Sequence, residues 1–159
     1  MSTVTGSTKH AALGLMVLRV AVGLAFVAHG AQKLFVFGLA GVTGAFGHMG
    51  IPLPGVTGAL VLAVELLGGL ALAFGLLTRL ASLGLAIDML GAIALVHARN
   101  GFFLPNGFEY AFTLLAATAA LTLAGPGALA LDNVLGRKGE AEEEETTTSS
   151  SRPRVSAAA

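Results

Sequence analysis

The apolar residues of this chain are gathered into long runs rather than scattered, the pattern that a lipid environment selects. The first run, from about Ala11 to Ala31, predicts a membrane-spanning helix after a polar Ser/Thr/Gly leader over residues 1–10 that is expected to be disordered. Between Phe35 and Gly55 the chain reads FVFGLAGVTGAFGHMGIPLPG. This stretch is too broken by glycine and by Pro52 and Pro54 to span, yet too apolar for a solvated loop, so it is expected to lie on or dip into the interface. A second span is predicted over about 55–77 and a third over about 79–98, joined by a tight helical hairpin at Thr78 and Arg79. The polar stretch RNGFFLPNG from Arg99 to Gly107 turns the chain, and a fourth, shorter span covers about 108–124 before Gly125-Pro126-Gly127 stops it.

Ala128 to Leu135 reads as one or two amphipathic turns at the membrane surface with Asp132 and Asn133 outward. From Gly136 onward an acidic run and a Thr/Ser tract offer almost nothing apolar to bury, so residues 136–159 are expected to be a disordered tail. The expected fold is therefore an all-α integral membrane four-helix bundle over 11–135, with a Gly/Pro-rich interfacial loop between helices 1 and 2.

Composition agrees with this and narrows the chemistry. Of 159 residues, 55% are hydrophobic and 11% charged, well below the roughly one quarter of charged residues in a soluble domain. The zero net charge and the lack of a basic block in the body of the chain exclude a nucleic-acid partner. The absence of cysteine excludes thiol exchange, thiolate nucleophiles and cysteine-ligated metal centres, and no metal site is expected. Arg19 in the middle of the first run is poor signal-peptide chemistry, so that run is expected to stay in place. Lys9, Arg79, Arg137 and Lys138 share one side of the predicted topology against Lys33 and Arg99 on the other, which places both termini in the cytoplasm of a multi-pass plasma-membrane protein.

Two groups of polar residues fall within the spans. An ionisable side chain in hydrocarbon costs at least a few kcal/mol and persists only if paired, hydrated or useful. Arg19, Glu65 and Asp88 lie deep in the first three spans, Arg19 and Asp88 at about 12 to 14 Å from the cytoplasmic end at ~1.5 Å per residue. They could meet near the midplane, with two carboxylates sharing one arginine, either as a packing device or in proton or substrate handling. Glycines three or four residues from each would let neighbouring helices approach. The second group, His29, Gln32, Lys33, His97, Glu109 and Tyr110, converges at the outer ends of the spans. Such a group could protonate a quinone oxygen, relay a proton or bind an anion, although helix ends are also where Lys, His and Tyr ordinarily sit. Asp88 and His97 are nine residues apart, about 180° on an ideal helix, so they are not expected to face the same way. Two lone histidines, His29 and His97, are weak evidence for axial ligation, and haem is not expected.

The segments LGLMVLRVAVGLAFVAHGAQKLF (Leu13 to Phe35), AVELLGGLALAFGLLTRLAS (Ala63 to Ser82) and HARNGFFLPNGFEYAFTLLA (His97 to Ala116), with the closing GPGALALDNVL, together resemble the DoxX family of four-helix membrane proteins. The resemblance implies a membrane redox setting, since some relatives are subunits of thiosulfate:quinone oxidoreductase and others are linked to complexes handling thiol and oxidative stress. It favours Arg19, His29, Gln32, Lys33, Glu65, His97 and Glu109 as functional positions, and lends Asp88 less support. Without cysteine, such a role would need a quinone in the bundle or a soluble redox partner. The expected function is a membrane subunit or scaffold of a quinone-linked or thiol-stress oxidoreductase system. The alternatives are a small proton-coupled transporter, for which so narrow a bundle would have to form a homo-oligomer, and a purely structural membrane partner.

Overall fold

In lipid a backbone has no water to bond, so long apolar runs are driven to satisfy their N–H and C=O groups internally as helices. The computed structural model describes residues 3–136 and shows helices α1 (Thr3–Gln32), α2 (Gly38–His48), α3 (Pro54–Ala63), α4 (Gly69–Phe74), α5 (Thr78–Ala92) and α6 (Glu109–Ala124). Helices α3 and α4 are one rod interrupted by a single wider turn, as are α5 and its continuation to Asn100. The stretches 8–48, 54–74 and 78–100 are long and apolar enough to cross a membrane. Helix α6, with 16 residues, spans about 24 Å at ~1.5 Å per residue. The fold is an all-α membrane bundle.

Three local expectations are corrected. The polar leader is helical from Thr3 onward, because the chain has no proline before Pro52 and each added residue extends α1 by one backbone hydrogen bond. The glycine-rich connection is largely the helix α2, not a loop. The chain is redirected at Gly38 (φ 66°, ψ 164°) before α2 and again between α2 and α3, where Gly50 and Leu53 have positive φ, and Val42 on α2 is buried against Gly58 of α3. The hairpin between the second and third spans is made by Gly75 to Leu77 rather than by Thr78 and Arg79. Gly75 adopts the left-handed conformation (φ 70°) that closes a helix, Leu76 N–H donates to Ala71 O at 2.8 Å, and α5 begins at Thr78. The expected acidic and Ser/Thr-rich tail lies outside the described residues from 137 on.

The helices meet at two kinds of contact. Helix α1 and the second span touch backbone to backbone: a Cβ placed on Gly69 would lie 2.8 Å from the Val27 nitrogen, and one on Gly23 2.7 Å from the Ala73 nitrogen. Around this contact Phe26, Leu72, Leu85 and Leu121 are almost fully excluded from the surface. Helices α5 and α6 are joined by the hydroxyls of Thr122 and Ser82, 3.0 Å apart, each also bonded to a carbonyl of its own helix.

At the end of the bundle where the segment after α6 packs, Arg19 is 1% exposed and does not meet Glu65 or Asp88. Its Nη1 donates to Leu72 O (3.2 Å) and Ala73 O (2.9 Å), and its Nη2 to Ala128 O (3.2 Å) and Leu129 O (3.4 Å). The last carbonyls of α4 carry the negative end of its dipole, so a cation is favoured there, although Leu72 O also accepts the Gly75 N–H at 3.1 Å. Asp132 is also turned inward rather than outward. Its carboxylate accepts the N–H groups of Leu77 (2.7 Å) and Thr78 (2.8 Å), capping the start of α5, while Asp132 N–H donates to Gly75 O at 2.9 Å. The Asn133 amide donates to Gly127 O at 2.8 Å, and residues 131–136 are helical. Partial burial pushes the Asp132 carboxyl up, but the hydrogen bonds from Thr78 and Leu77 and the charge of Arg19 outweigh it and hold it below its ordinary value.

Two outcomes are expected. Gly69→Ala should destabilise the detergent-solubilised protein by about 1–3 kcal/mol, because backbone atoms cannot yield to the added methyl, whereas Gly14→Ala, which meets nothing, should be neutral or slightly stabilising. Thermal unfolding of the two variants side by side checks this. Because the folded-state value of Asp132 is lowered, its contribution to stability is fully present above the ordinary carboxyl value of 3.8 and is lost as pH falls through the lower folded value. Melting curves at descending pH should show this loss in the native chain and a flatter profile in Asp132→Asn.

Candidate functional site

Three of the bundle's helices widen into a π-turn, at Lys33–Phe37, Val64–Gly68 and Ile93–His97. Such a turn carries one residue more than an α-turn, shifts the side chains beyond it around the axis and recurs at functional sites. Each of the three holds one ionisable residue: Lys33, Glu65 and His97. These three meet at the end of the bundle opposite the Arg19 contacts.

Lys33 Nζ donates to Glu65 Oε2, with 22% and 5% of the two side chains exposed. Asp88, on α5, lies within electrostatic reach of both, and its Oδ2 is buried with no hydrogen-bond partner. The pair forms part of the wall between two cavities. The larger, of about 440 Å³, is lined by Lys33, Glu65, Asp88 and His97 at its polar side and otherwise mainly by apolar residues such as Phe46, Ile51, Leu60, Val64 and Ile87. The smaller, of about 270 Å³, shares Lys33, Glu65 and His97 and adds His29 and Tyr110.

The histidines are oriented by carbonyls. His29 Nδ1 is 2.8 Å from Ala25 O, and His97 Nδ1 is 3.2 Å from Asn106 O. A carbonyl only accepts, so Nδ1 carries the proton in each ring and Nε2 remains able to take one up. The His29 ring also stacks at a tilt on Tyr110, with centroids 5.6 Å apart.

The two groups expected from the sequence are thus redistributed. Glu65 and Asp88 do not join Arg19; they join Lys33 and His97, so the deep Arg/Glu/Asp set is not assembled. His29, Lys33, His97 and Tyr110 of the outer group line the smaller cavity together. Gln32 is exposed and lines neither cavity. Glu109 accepts the Leu104 N–H at 3.0 Å, holding the loop before α6, and also lines neither. Asp88 and His97 both face the larger cavity, contrary to expectation, because the π-turn between them absorbs one residue and reduces their offset from about 180° to roughly 80°. The Lys33–Glu65 pairing was missed because Lys33 reads as an ordinary helix-end lysine. Its only sequence signal is that an interior glutamate needs a cation, and Lys33 closes the neighbouring span.

The DoxX family model matches residues 14–98, a stretch that contains Lys33, Glu65, Asp88 and His97. The chain is similar to a Bacillus subtilis (strain 168) protein named "Putative oxidoreductase CatD", with 35% identity over 124 residues covering 78% of this chain and 88% of that one. It is 34% identical to "Uncharacterized membrane protein Rv3486" of Mycobacterium tuberculosis over 78% of this chain and 82% of the relative. It is 31% identical to "Inner membrane protein YqjF" of Escherichia coli (strain K12) over 79% and 95%. No solved structure matches the chain.

Removing the cation from the buried pair should be costly. Lys33→Met leaves Glu65 buried beside Asp88 without its donor and should destabilise the fold by about 3 kcal/mol, the low end for a broken buried pair because Lys33 keeps some exposure. Adding Glu65→Leu should restore much of that loss. A double-mutant cycle on thermal or denaturant unfolding measures the difference.

Proposed function

Because the chain belongs to the DoxX family of membrane proteins, we propose that it is the membrane component of a quinone-linked oxidoreductase system and that its larger cavity receives the quinone headgroup. The observation that carries this reading is the make-up of that cavity. Its volume of about 440 Å³ falls in the range of small-molecule sites, its walls are mainly apolar, and its polar groups gather on one side. A molecule with an apolar body and a small oxygen-bearing head matches that division. The oxidoreductase name of the Bacillus subtilis relative agrees with the reaction class and says nothing of the substrate.

When bound, a quinone supplies the two-electron, two-proton chemistry that side chains without cysteine cannot. The residues of this chain would then position its head and manage protons. Lys33, with two N–H donors beyond the one given to Glu65, can approach a carbonyl oxygen. His97 Nε2 can take up a proton while Nδ1 stays on Asn106 O, and His29 Nε2, across the smaller cavity, can do the same. Glu65 keeps Lys33 charged and in place. With the termini in the cytoplasm, this site faces the outer leaflet, and electrons arrive from a partner protein docked on that side. A carrier role has less support, since Arg19 is engaged with carbonyls away from the two carboxylates.

The protein purified from native membranes in mild detergent should retain about one quinone per chain, measured by lipid extraction and mass spectrometry. Gly91 lines the larger cavity and a Cβ there meets nothing, so Gly91→Leu should fill the space without disturbing the helix and lower retained quinone at least tenfold. A native protein free of quinone would sink the proposal.

A further inference from the structure

Donors and acceptors around the larger cavity are unequally matched, and the mismatch bears on which redox form of the ligand is held. A carboxylate only accepts hydrogen bonds. Three buried side-chain atoms lack a partner among the described residues: Arg19 Nε, Thr78 Oγ1 and Asp88 Oδ2. Of these residues Asp88 lines the larger cavity, and the other two line neither of the two cavities described. None of the donors that share the cavity with it bonds to Asp88 Oδ2. Lys33 donates to Glu65, the Thr57 hydroxyl to Leu53 O at 3.1 Å and Pro52 O at 3.2 Å, and His97 Nδ1 to Asn106 O. The remaining neighbours of Asp88 along that wall, among them Val61, Val64, Ile87 and Ala92, have no side-chain donor.

We infer that the larger cavity is built for the reduced, hydroxyl-bearing form of its ligand, a quinol whose phenolic O–H donates to Asp88 Oδ2. This rests on the quinone-site reading above and specifies it. A quinone offers carbonyl oxygens alone, and beside Asp88 it would set acceptor against acceptor and leave the buried oxygen unsatisfied. A quinol brings a donor to the one buried oxygen of that wall that receives none, and its second hydroxyl can accept from the N–H groups that Lys33 does not give to Glu65, or donate to His97 Nε2. Buried polar groups without partners are rare, and a ligand that satisfies one gains what the protein alone forgoes. Asp88 thus acts as a specificity determinant between two redox forms that share one shape. By linkage, the protein holds the bound couple at a higher potential than the free pool.

The test compares a decyl-substituted benzoquinone with its quinol, titrated anaerobically against the full chain in lipid nanodiscs by calorimetry. The native protein should bind the quinol at least tenfold more tightly, which corresponds to a rise of about 30 mV in the potential of the bound couple. Asp88→Asn, whose amide both donates and accepts, should bring the two affinities within about threefold. Asp88→Leu should weaken the quinol while leaving the quinone nearly unchanged. Equal or tighter binding of the quinone by the native protein, as a protonated Asp88 would produce, overturns this inference and leaves the quinone site standing. Binding of neither form overturns both. The native ratio decides even if a variant fails to fold.

Discussion

One guanidinium organises half of this molecule. Arg19 is buried where α4 ends, and its donors satisfy the last carbonyls of that helix together with two carbonyls of the segment after α6. An unpaired carbonyl facing hydrocarbon costs several kcal/mol, and Arg19 brings a charged donor to all four, including Leu72 O, which also accepts the Gly75 N–H at 3.1 Å. The same contact brings Asp132 to the start of α5, where its carboxylate takes up two free N–H groups. Ala128 N–H, 2.9 Å from Ala12 O, completes the closure onto α1. The first three spans and the chain beyond the fourth are therefore locked at one end by a charge that has no carboxylate in direct contact.

What Arg19 does at one end leaves the other end short of positive charge. Glu65 and Asp88 must share Lys33, and a lysine can reach an interior glutamate only because the helices come very close. The backbone contacts at Gly23 and Gly69 provide that closeness, and the π-turns at Lys33, Glu65 and His97 aim the side chains. The two ends differ in what lies beside their unmatched polar groups. At the Arg19 end Arg19 Nε and Thr78 Oγ1 have no partner but line neither cavity, whereas the Lys33 end opens into two cavities and keeps the Asp88 Oδ2 oxygen without a donor. An unmatched buried group beside a cavity is where a ligand gains most, and for this reason the functional reading rests there.

The chain belongs to the DoxX family and is similar to an oxidoreductase-named relative, and the proposed function rests on these together with the arrangement of side chains. The lack of cysteine sharpens it. Electrons cannot be stored on this chain's own thiols, so the proposed redox role calls for a carrier that moves within the same bilayer and enters the largely apolar cavity.

The amino-acid sequence by itself determined that the chain is an all-helical membrane bundle and which family it resembles, and it located the second to fourth long helices to within a few residues, while the first begins earlier than its apolar run. These follow from run length and from the need to satisfy backbone groups in lipid, both properties of one segment at a time. It also singled out Arg19, Lys33, Glu65, Asp88, His29 and His97 as residues needing an explanation. Only the tertiary structure decided how they are grouped. Counting along an ideal helix put Arg19 with the two carboxylates and set Asp88 opposite His97. Helix-end carbonyls, which no sequence pattern reports, claimed the arginine instead. A single π-turn, invisible to a count at 3.6 residues per turn, brought Asp88 and His97 onto one wall. The partner of a buried charge is set by the relative shift and rotation of neighbouring helices, and those are fixed by glycine contacts and hydrogen bonds between segments far apart in the chain.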